Sequence, residues 1–357
     1  MVALHATDPA SVYLSICARQ HQPSVAEIEA ALYDERSLMR MLGMRRTMFV
    51  VPVELAPVVH AACTLAIAAK ERRLSLQLLR SVGSPEDIGA WIKEVEDQTF
   101  EALGKHGKAT AQQLAEDVPE LKKQVPLAQG KSYAGSIGVS SRVLFQLSAD
   151  GRIVRDPPRG SWISGQYHWS PMEAWLPGGL AELPRSATQT TLIGAWLRAF
   201  GPGTLADITW WTGLNLGEVR RALQDLGAVE VHLDQTPGWL LPDDLEPEIE
   251  CEPWVSFLPA LDPTPMGFID RGWFLGSHAS ALFDRTGNIG PTVWSDGRIV
   301  GGWAQRKNGA IGYKLLENVG AEAEGAIQSA AHELRQWLDP VRVTSRFRTP
   351  LERELSA

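Results

Sequence analysis

Apolar residues recur at helical spacing through residues 187–200, where Leu192, Ile193, Trp196, Leu197 and Phe200 share one face and Gly201 closes the run. Thr204 then marks the start of a short helix, Leu205–Thr212, and Gly213 a turn. A third helix over Leu216–Leu226 puts Val219, Leu223 and Leu226 on one side and Glu218, Arg220, Arg221 and Gln224 on the other. Two short stretches, Ala228–Leu233 and Gly238–Leu241, are joined by Asp234-Gln235-Thr236-Pro237 and predict a hairpin.

Helix, short helix, turn, helix, hairpin is the order of a winged helix-turn-helix. The pattern recurs. In an earlier copy Ser84 and Pro85 start a helix that runs to Leu103. Gly107 and Thr110 repeat the spacing of Gly201 and Thr204. Thr110–Val118 is the short helix, Ser136–Ser148 the third helix, and Arg152 to about Tyr167 the hairpin, with an insertion over Pro119–Gly135. The first copy is less complete. Asp8 and Pro9 start a helix to about Gln20, Ser24 and Glu27 form a capping box for a helix to Tyr33, residues 35–43 form a third short helix, and Thr47–Val51 a strand.

After Pro253 the period changes. Val255–Leu258, Gly272–Gly276, Thr292–Trp294, Arg298–Trp303 and Ala310–Leu315 alternate with turns at Ser295-Asp296-Gly297 and Lys307-Asn308-Gly309. These predict a small antiparallel sheet or barrel. A helix over Ala321–Leu338 stops at Pro340, and Val341–Ala357 reads as a short strand and a loose end. The expected fold class is therefore α+β: three tandem winged helix-turn-helix units, a β-rich, barrel-like module and a C-terminal helix. The units fall at residues 1–80, 81–170, 171–253 and 254–357, the first without its first helix.

A chain of 357 residues has room for several such units, and 44% hydrophobic with 21% charged residues is ordinary for a globular protein. No apolar run reaches the roughly 18 residues of a membrane helix, and no signal peptide is visible. Cys17, Cys63 and Cys251 lie far apart with no metal-ligand spacing, which predicts a reduced, cytoplasmic setting and no metal. The net charge of -8 is unevenly spread. No Lys or Arg stands between Arg221 and Arg271, an acidic stretch. Basic residues cluster elsewhere, at Arg36, Arg40, Arg45 and Arg46, at Lys70, Arg72 and Arg73, at Lys122, Lys123 and Lys131, and at Arg342, Arg346 and Arg348. On a winged helix, the first of these clusters lies where DNA phosphates are met. Surface ion pairs account for it equally well.

Phosphate-cradling glycine loops, His-Glu-x-x-His and Gly-x-Ser-x-Gly are absent, so nucleotide, metal and serine-hydrolase chemistry has no support. Gln20-His21-Gln22 reads as a solvated turn between helices. Trp210-Trp211 offers stacking surface, although its spacing with Leu205 and Ile208 places at least one ring in a core. The chemistry that remains is at Val2-Ala3-Leu4-His5-Ala6-Thr7-Asp8-Pro9. If this run is extended, His5 and Thr7 at i and i+2 share a face just before a helix begins. An imidazole and a hydroxyl so placed can hold and activate a water, although a lone histidine is more often structural.

The chain resembles the AlkZ/YcaQ superfamily of bacterial winged-helix DNA glycosylases. The resemblance is spread over His5–Leu14, Ala31–Arg40, Met44–Pro52, Leu258–Pro263, Met266–Arg271 and Asp296–Trp303. The family's catalytic motif is Gln-x-Gln, with Gln-x-Asp and His-x-Gln forms, and it falls immediately before Asp-Pro. That places it at His5-Ala6-Thr7, where Thr7 departs from the expected Gln. The resemblance implies hydrolysis of the N-glycosidic bond of N7-alkylated purines in double-stranded DNA, by a monomer with no cofactor and no membrane. It implies His5 and Thr7 as catalytic residues, Asp8, Asp262 and Arg271 in support, and DNA contacts from Arg36, Arg40, Arg45, Arg46, Lys122, Lys123 and Lys131. It also implies a helix ahead of the motif, so an internal start or a truncated chain is expected. Two other readings stand beside it: a DNA-binding regulator or lesion sensor without catalysis, and a protein-interaction scaffold.

Overall fold

The computed structural model describes residues 1–80, 87–127, 135–233, 236–246 and 251–357. They form two compact units, Met1–Glu29 with Ile193–Ala357, and Ala30–Leu192. Helices mix with small antiparallel sheets in both, an α+β arrangement.

In the first unit the caps fix the helices. Asp8 precedes Pro9 at the start of the helix Pro9–Cys17 and accepts from the Ala10 amide. Thr204 and Asp207 form a reciprocal capping box on Leu205–Thr212, which ends on left-handed Gly213. Asn215 and Glu218 form another on Leu216–Asp225. The strands Val229–Leu233 and Thr236–Leu240 pair antiparallel. Each of these elements lies within three residues of its expected bounds. The joining residues Asp234 and Gln235 lie outside the described residues.

The β-rich part is a four-stranded antiparallel sheet in sequential order, Val255–Leu258, Thr292–Ser295, Arg298–Gln305 and Ile311–Leu315. Among the described residues it is an open meander, not a barrel. Gly301 and Gly302 are required by close approach. A Cβ at Gly301 would lie 2.3 Å from the Lys314 carbonyl oxygen, and one at Gly302 2.8 Å from the Leu351 side chain. Trp303 packs edge-on against Phe257 and donates its indole N–H to the Leu258 carbonyl at 2.9 Å. Two expectations fail here. Residues 272–276, expected as a strand, form a helical turn, Gly272–Leu275. The tail is not loose: Thr349 and Pro350 start a helix, Pro350–Leu355, that buries Leu351, Glu352 and Leu355.

The second unit begins with a helical turn, Ala30–Asp34, and a hairpin follows. Residues 35–43, expected as a third short helix, instead give the strand Leu38–Gly43, paired in register with Thr47–Pro52. Arg45 and Arg46 at its tip both adopt left-handed backbone, φ 53° and 62°. A helical stretch over Val53–Leu79 follows, for which the sequence reading had no element. It is long and apolar enough to cross a membrane by length and composition, with a mean hydropathy of 1.4 in its most apolar window. The expectation of no such run is thus corrected. Its last turns nevertheless carry Glu71, 5% exposed and paired with Arg46 and Arg142, and Arg72, paired with Glu96 and Asp150.

The helix Ile88–His106 starts on Asp87; Ser84 and Pro85 lie outside the described residues. Thr110 caps Ala111–Asp117 with φ -82° and ψ 161°, close to the -80° and 161° of Thr204. Thr110 and Thr204 thus share one cap geometry. The insertion contributes a strand pair, Gln124–Leu127 with Gly135–Gly138, whose second strand occupies the expected first turn of the helix Val139–Ala149. Ile153–Pro158 and Tyr167–Pro171 complete the hairpin.

Candidate functional site

The strand Leu4–His5 ends at the imidazole, and Thr7 sits in a bend, so strand alternation does not govern how His5 and Thr7 face one another. Val2, Ala3, His5 and Ala6 are buried and Thr7 is half-buried. Asp8 is 6% exposed. Its Oδ1 accepts the Ala10 amide at 3.1 Å and its Oδ2 accepts the Arg346 amide at 2.9 Å. The Arg346 guanidinium donates to the Thr7 carbonyl at 3.0 Å. The start of the first helix is thus tied to a segment more than three hundred residues away.

A second tie comes from Asp262, which has no exposed surface. Arg19 meets it with both terminal nitrogens, at 2.8 and 2.7 Å. The Ser15 hydroxyl donates at 2.9 Å and the Thr264 amide at 2.9 Å. The Ser11 hydroxyl donates to the Ala260 carbonyl at 2.7 Å. Both Asp262 oxygens are engaged, so this carboxylate works by anchoring the first helix to the Pro259–Thr264 loop.

Arg271, the other supporting candidate, stacks its guanidinium between Trp210 and Phe283, at 5.0 and 5.1 Å, and donates Nε–H to the Pro265 carbonyl at 2.8 Å. Burial lowers its pKa, opposed by Asp207. Trp211 is buried, as the spacing requires, and Trp210 is half-buried beneath Arg271.

The basic cluster of the second unit is divided. Arg36 donates to the carbonyls of Ala174 and Trp175 at 3.1 and 2.7 Å, and Arg40 is 3% exposed with its guanidinium over Tyr167. Both act as internal struts. Arg45 is half-buried at the hairpin tip, and Arg46 is exposed, 2.9 Å from Glu71 and over Phe145. Lys122 and Lys123 are exposed, and Lys123 sits over Trp91. Lys131 lies outside the described residues.

Sequence reasoning overlooked Ser15, Arg19 and Glu352, and took Arg346 only as part of a charge cluster. Ser15 stands in the last turn of the helix Pro9–Cys17, and Arg19, in the turn just past it, reaches back to the Ser15 carbonyl at 2.8 Å. Thr349-Pro350-Leu351-Glu352 carries a helix-start signature, with a cap residue, Pro at the first position and Glu at the third.

A family model described as DNA glycosylase AlkZ-like matches residues 1–337. An interstrand DNA cross-link repair glycosylase of Streptomyces sahachiroi is 29% identical over 171 residues, 45% of this chain and 45% of that protein. The chain thus spans less than half the length of that relative in the matched stretch. The structure of Streptomyces sahachiroi DNA glycosylase AlkZ superposes with a TM-score of 0.70 over 94% of this chain and 88% of that chain, at 20% identity, a likeness of fold. With the family match running through nearly its whole length, the chain belongs to the AlkZ-like DNA glycosylase family.

Proposed function

We propose that this protein is a monofunctional DNA glycosylase that hydrolyses the N-glycosidic bond of N7-alkylated purines in double-stranded DNA. The observation that carries this reading is the buried His5 at the family's motif position, followed by a loop tied at the Thr7 carbonyl and the Asp8 carboxylate. An N7-alkylated purine is cationic. It leaves with the electron pair of the C1′–N9 bond and becomes neutral, so it needs no strong general acid. The sugar is left as an oxocarbenium-like centre. Neutral His5 accepts a proton from the water that attacks C1′. The Thr7 hydroxyl orients that water. Asp8 adds negative charge beside the developing cation.

The chain acts in this reading as a cytoplasmic monomer of tandem winged-helix units, with units at 1–80, 81–170, 171–253 and 254–357. Phosphates are met by Arg45, Arg46, Lys122, Lys123 and Lys131, while Arg36 and Arg40 shape the fold behind them. The test is base release from duplex containing N7-methylguanine. His5→Ala is expected to lose about a hundredfold in rate, and Thr7→Ala less. Equal release by wild type and His5→Ala removes the site assignment. The replacement of the motif's second Gln by Thr7 favours one other reading, a lesion binder. No release by wild type, together with salt-dependent binding, selects it.

A further inference from the structure

The helix Pro350–Leu355 brings a buried carboxyl group against the segment that holds this loop. Glu352 is 4% exposed. Its Oε1 accepts the Ser345 amide at 3.2 Å, and the next residue is Arg346, which holds Asp8 and Thr7. Its Oε2 is buried and has no hydrogen-bond partner among the described residues. Glu352 and Asp8 both line a cavity of about 20 Å³, room for a single water, together with Ser11, Trp303, Gln305 and Ser345.

We propose that Glu352, as a neutral carboxyl, is a positioning residue for the His5-Ala6-Thr7-Asp8 loop, acting through Ser345 and Arg346. The proposal rests on the reading of that loop as catalytic. A neutral carboxyl suits the place. It can accept from the Ser345 amide with one oxygen and donate from the other into the cavity that Asp8 also lines. An ionised one would bury an unsatisfied oxygen beside a second carboxylate.

Asp8 lines the same cavity, Arg348 stands 3.8 Å from Glu352 Oε1 on the segment before the helix, and Arg306 donates Nε–H to the Leu355 carbonyl on the same helix. The strand Arg298–Gln305 presents Trp303 and Gln305, and Lys314 on the neighbouring strand pairs with Glu354 instead. Burial raises the Glu352 pKa above its ordinary value, against the lowering effects of Ser345 and Arg348. The sign follows. A carboxyl with a raised folded pKa contributes its full stability below the ordinary 4.5 and loses it as pH rises through the folded value.

Glu352→Ala and Glu352→Gln, read by amide hydrogen exchange, base release and thermal unfolding across pH, test this. Glu352→Ala should speed exchange at Thr7, Asp8, Ala10, Ser345 and Arg346, and lower kcat about tenfold with DNA affinity little changed. Glu352→Gln, neutral and of the same shape, should restore slow exchange and most of kcat. The Tm of wild type should fall relative to that of Glu352→Gln as pH rises above 4.5. Unchanged exchange in Glu352→Ala overturns the proposal, as does a Glu352→Gln variant as damaged as Glu352→Ala. If Glu352→Ala does not fold, parallel Tm curves for wild type and Glu352→Gln overturn it. An inactive wild type or a fully active His5→Ala defeats the catalytic reading of the loop instead, while exchange and the Tm curves still judge Glu352.

Discussion

Asp262 and Glu352 are both buried carboxyl groups, the first tied to the end of the first helix and the second to the segment that meets its start. They differ in how they are satisfied. Asp262 has a bidentate Arg19, the Ser15 hydroxyl and the Thr264 amide, so both oxygens have partners. Glu352 has the Ser345 amide on one oxygen and no hydrogen-bond partner on the other among the described residues. The first is a closed charge-assisted network, in which each group removes the cost of burying the others. The second leaves one oxygen without a hydrogen-bond partner among the described residues, on a side chain that lines a small cavity, which favours the neutral form. A charge that is fully partnered fixes a helix in place. A group left half-partnered can respond to pH.

The largest effect that contrast predicts is at Asp262. Asp262→Ala leaves Arg19 and the Ser15 hydroxyl without their partner and should destabilise by about 3 kcal/mol. That is the low end for a broken buried pair, because the Arg19 side chain is 28% exposed and can take up water. Denaturant unfolding measures it, and a loss below about 1 kcal/mol would show that the two nodes do not differ as argued. Ser15→Ala removes only one donor from the same carboxylate and should cost about 1 kcal/mol. A Ser15→Ala cost equal to that of Asp262→Ala would place the energy in the hydroxyl instead of the ion pair. On the other node, Thr349→Ala removes the cap of the C-terminal helix and should cost about 1 kcal/mol. If that cost vanished, the helix would be held by Leu351 and Leu355 alone.

The elements between residues 205 and 240 were legible in the sequence because local and tertiary preferences agree there. Thr204, Gly213 and Asn215 sit at cap positions, and the apolar faces between them keep the helical period. They disagree at Leu38–Gly43. Leu, Met and Arg are good helix formers, yet pairing with Thr47–Pro52 makes the segment a strand. Phe274 and Trp273 read as strand residues, but Gly272–Leu275 folds into a helical turn. The position of the candidate site was legible from His5 and the Asp-Pro start. Its supports were not. Asp8 to Arg346 and Arg19 to Asp262 join residues 338 and 243 apart, and no periodicity in a chain reports contacts at that range.

The smallest effect separates backbone from side chain at Arg346. Its amide meets the Asp8 carboxylate, whereas its exposed guanidinium meets, among the described residues, the Thr7 carbonyl. Arg346→Ala deletes the second contact and keeps the first. An exposed contact of this kind contributes little, so stability should fall by no more than about 0.5 kcal/mol. The rate of base release is the sharper readout. If the Ser345–Arg346 backbone alone positions the loop, the variant should stay within about threefold of wild type while Glu352→Ala loses about tenfold. An Arg346→Ala loss as large as that of Glu352→Ala would move the restraint from the backbone path onto the guanidinium. Glu352 and Arg346 would then have to be treated as one unit rather than as a support and the segment it supports.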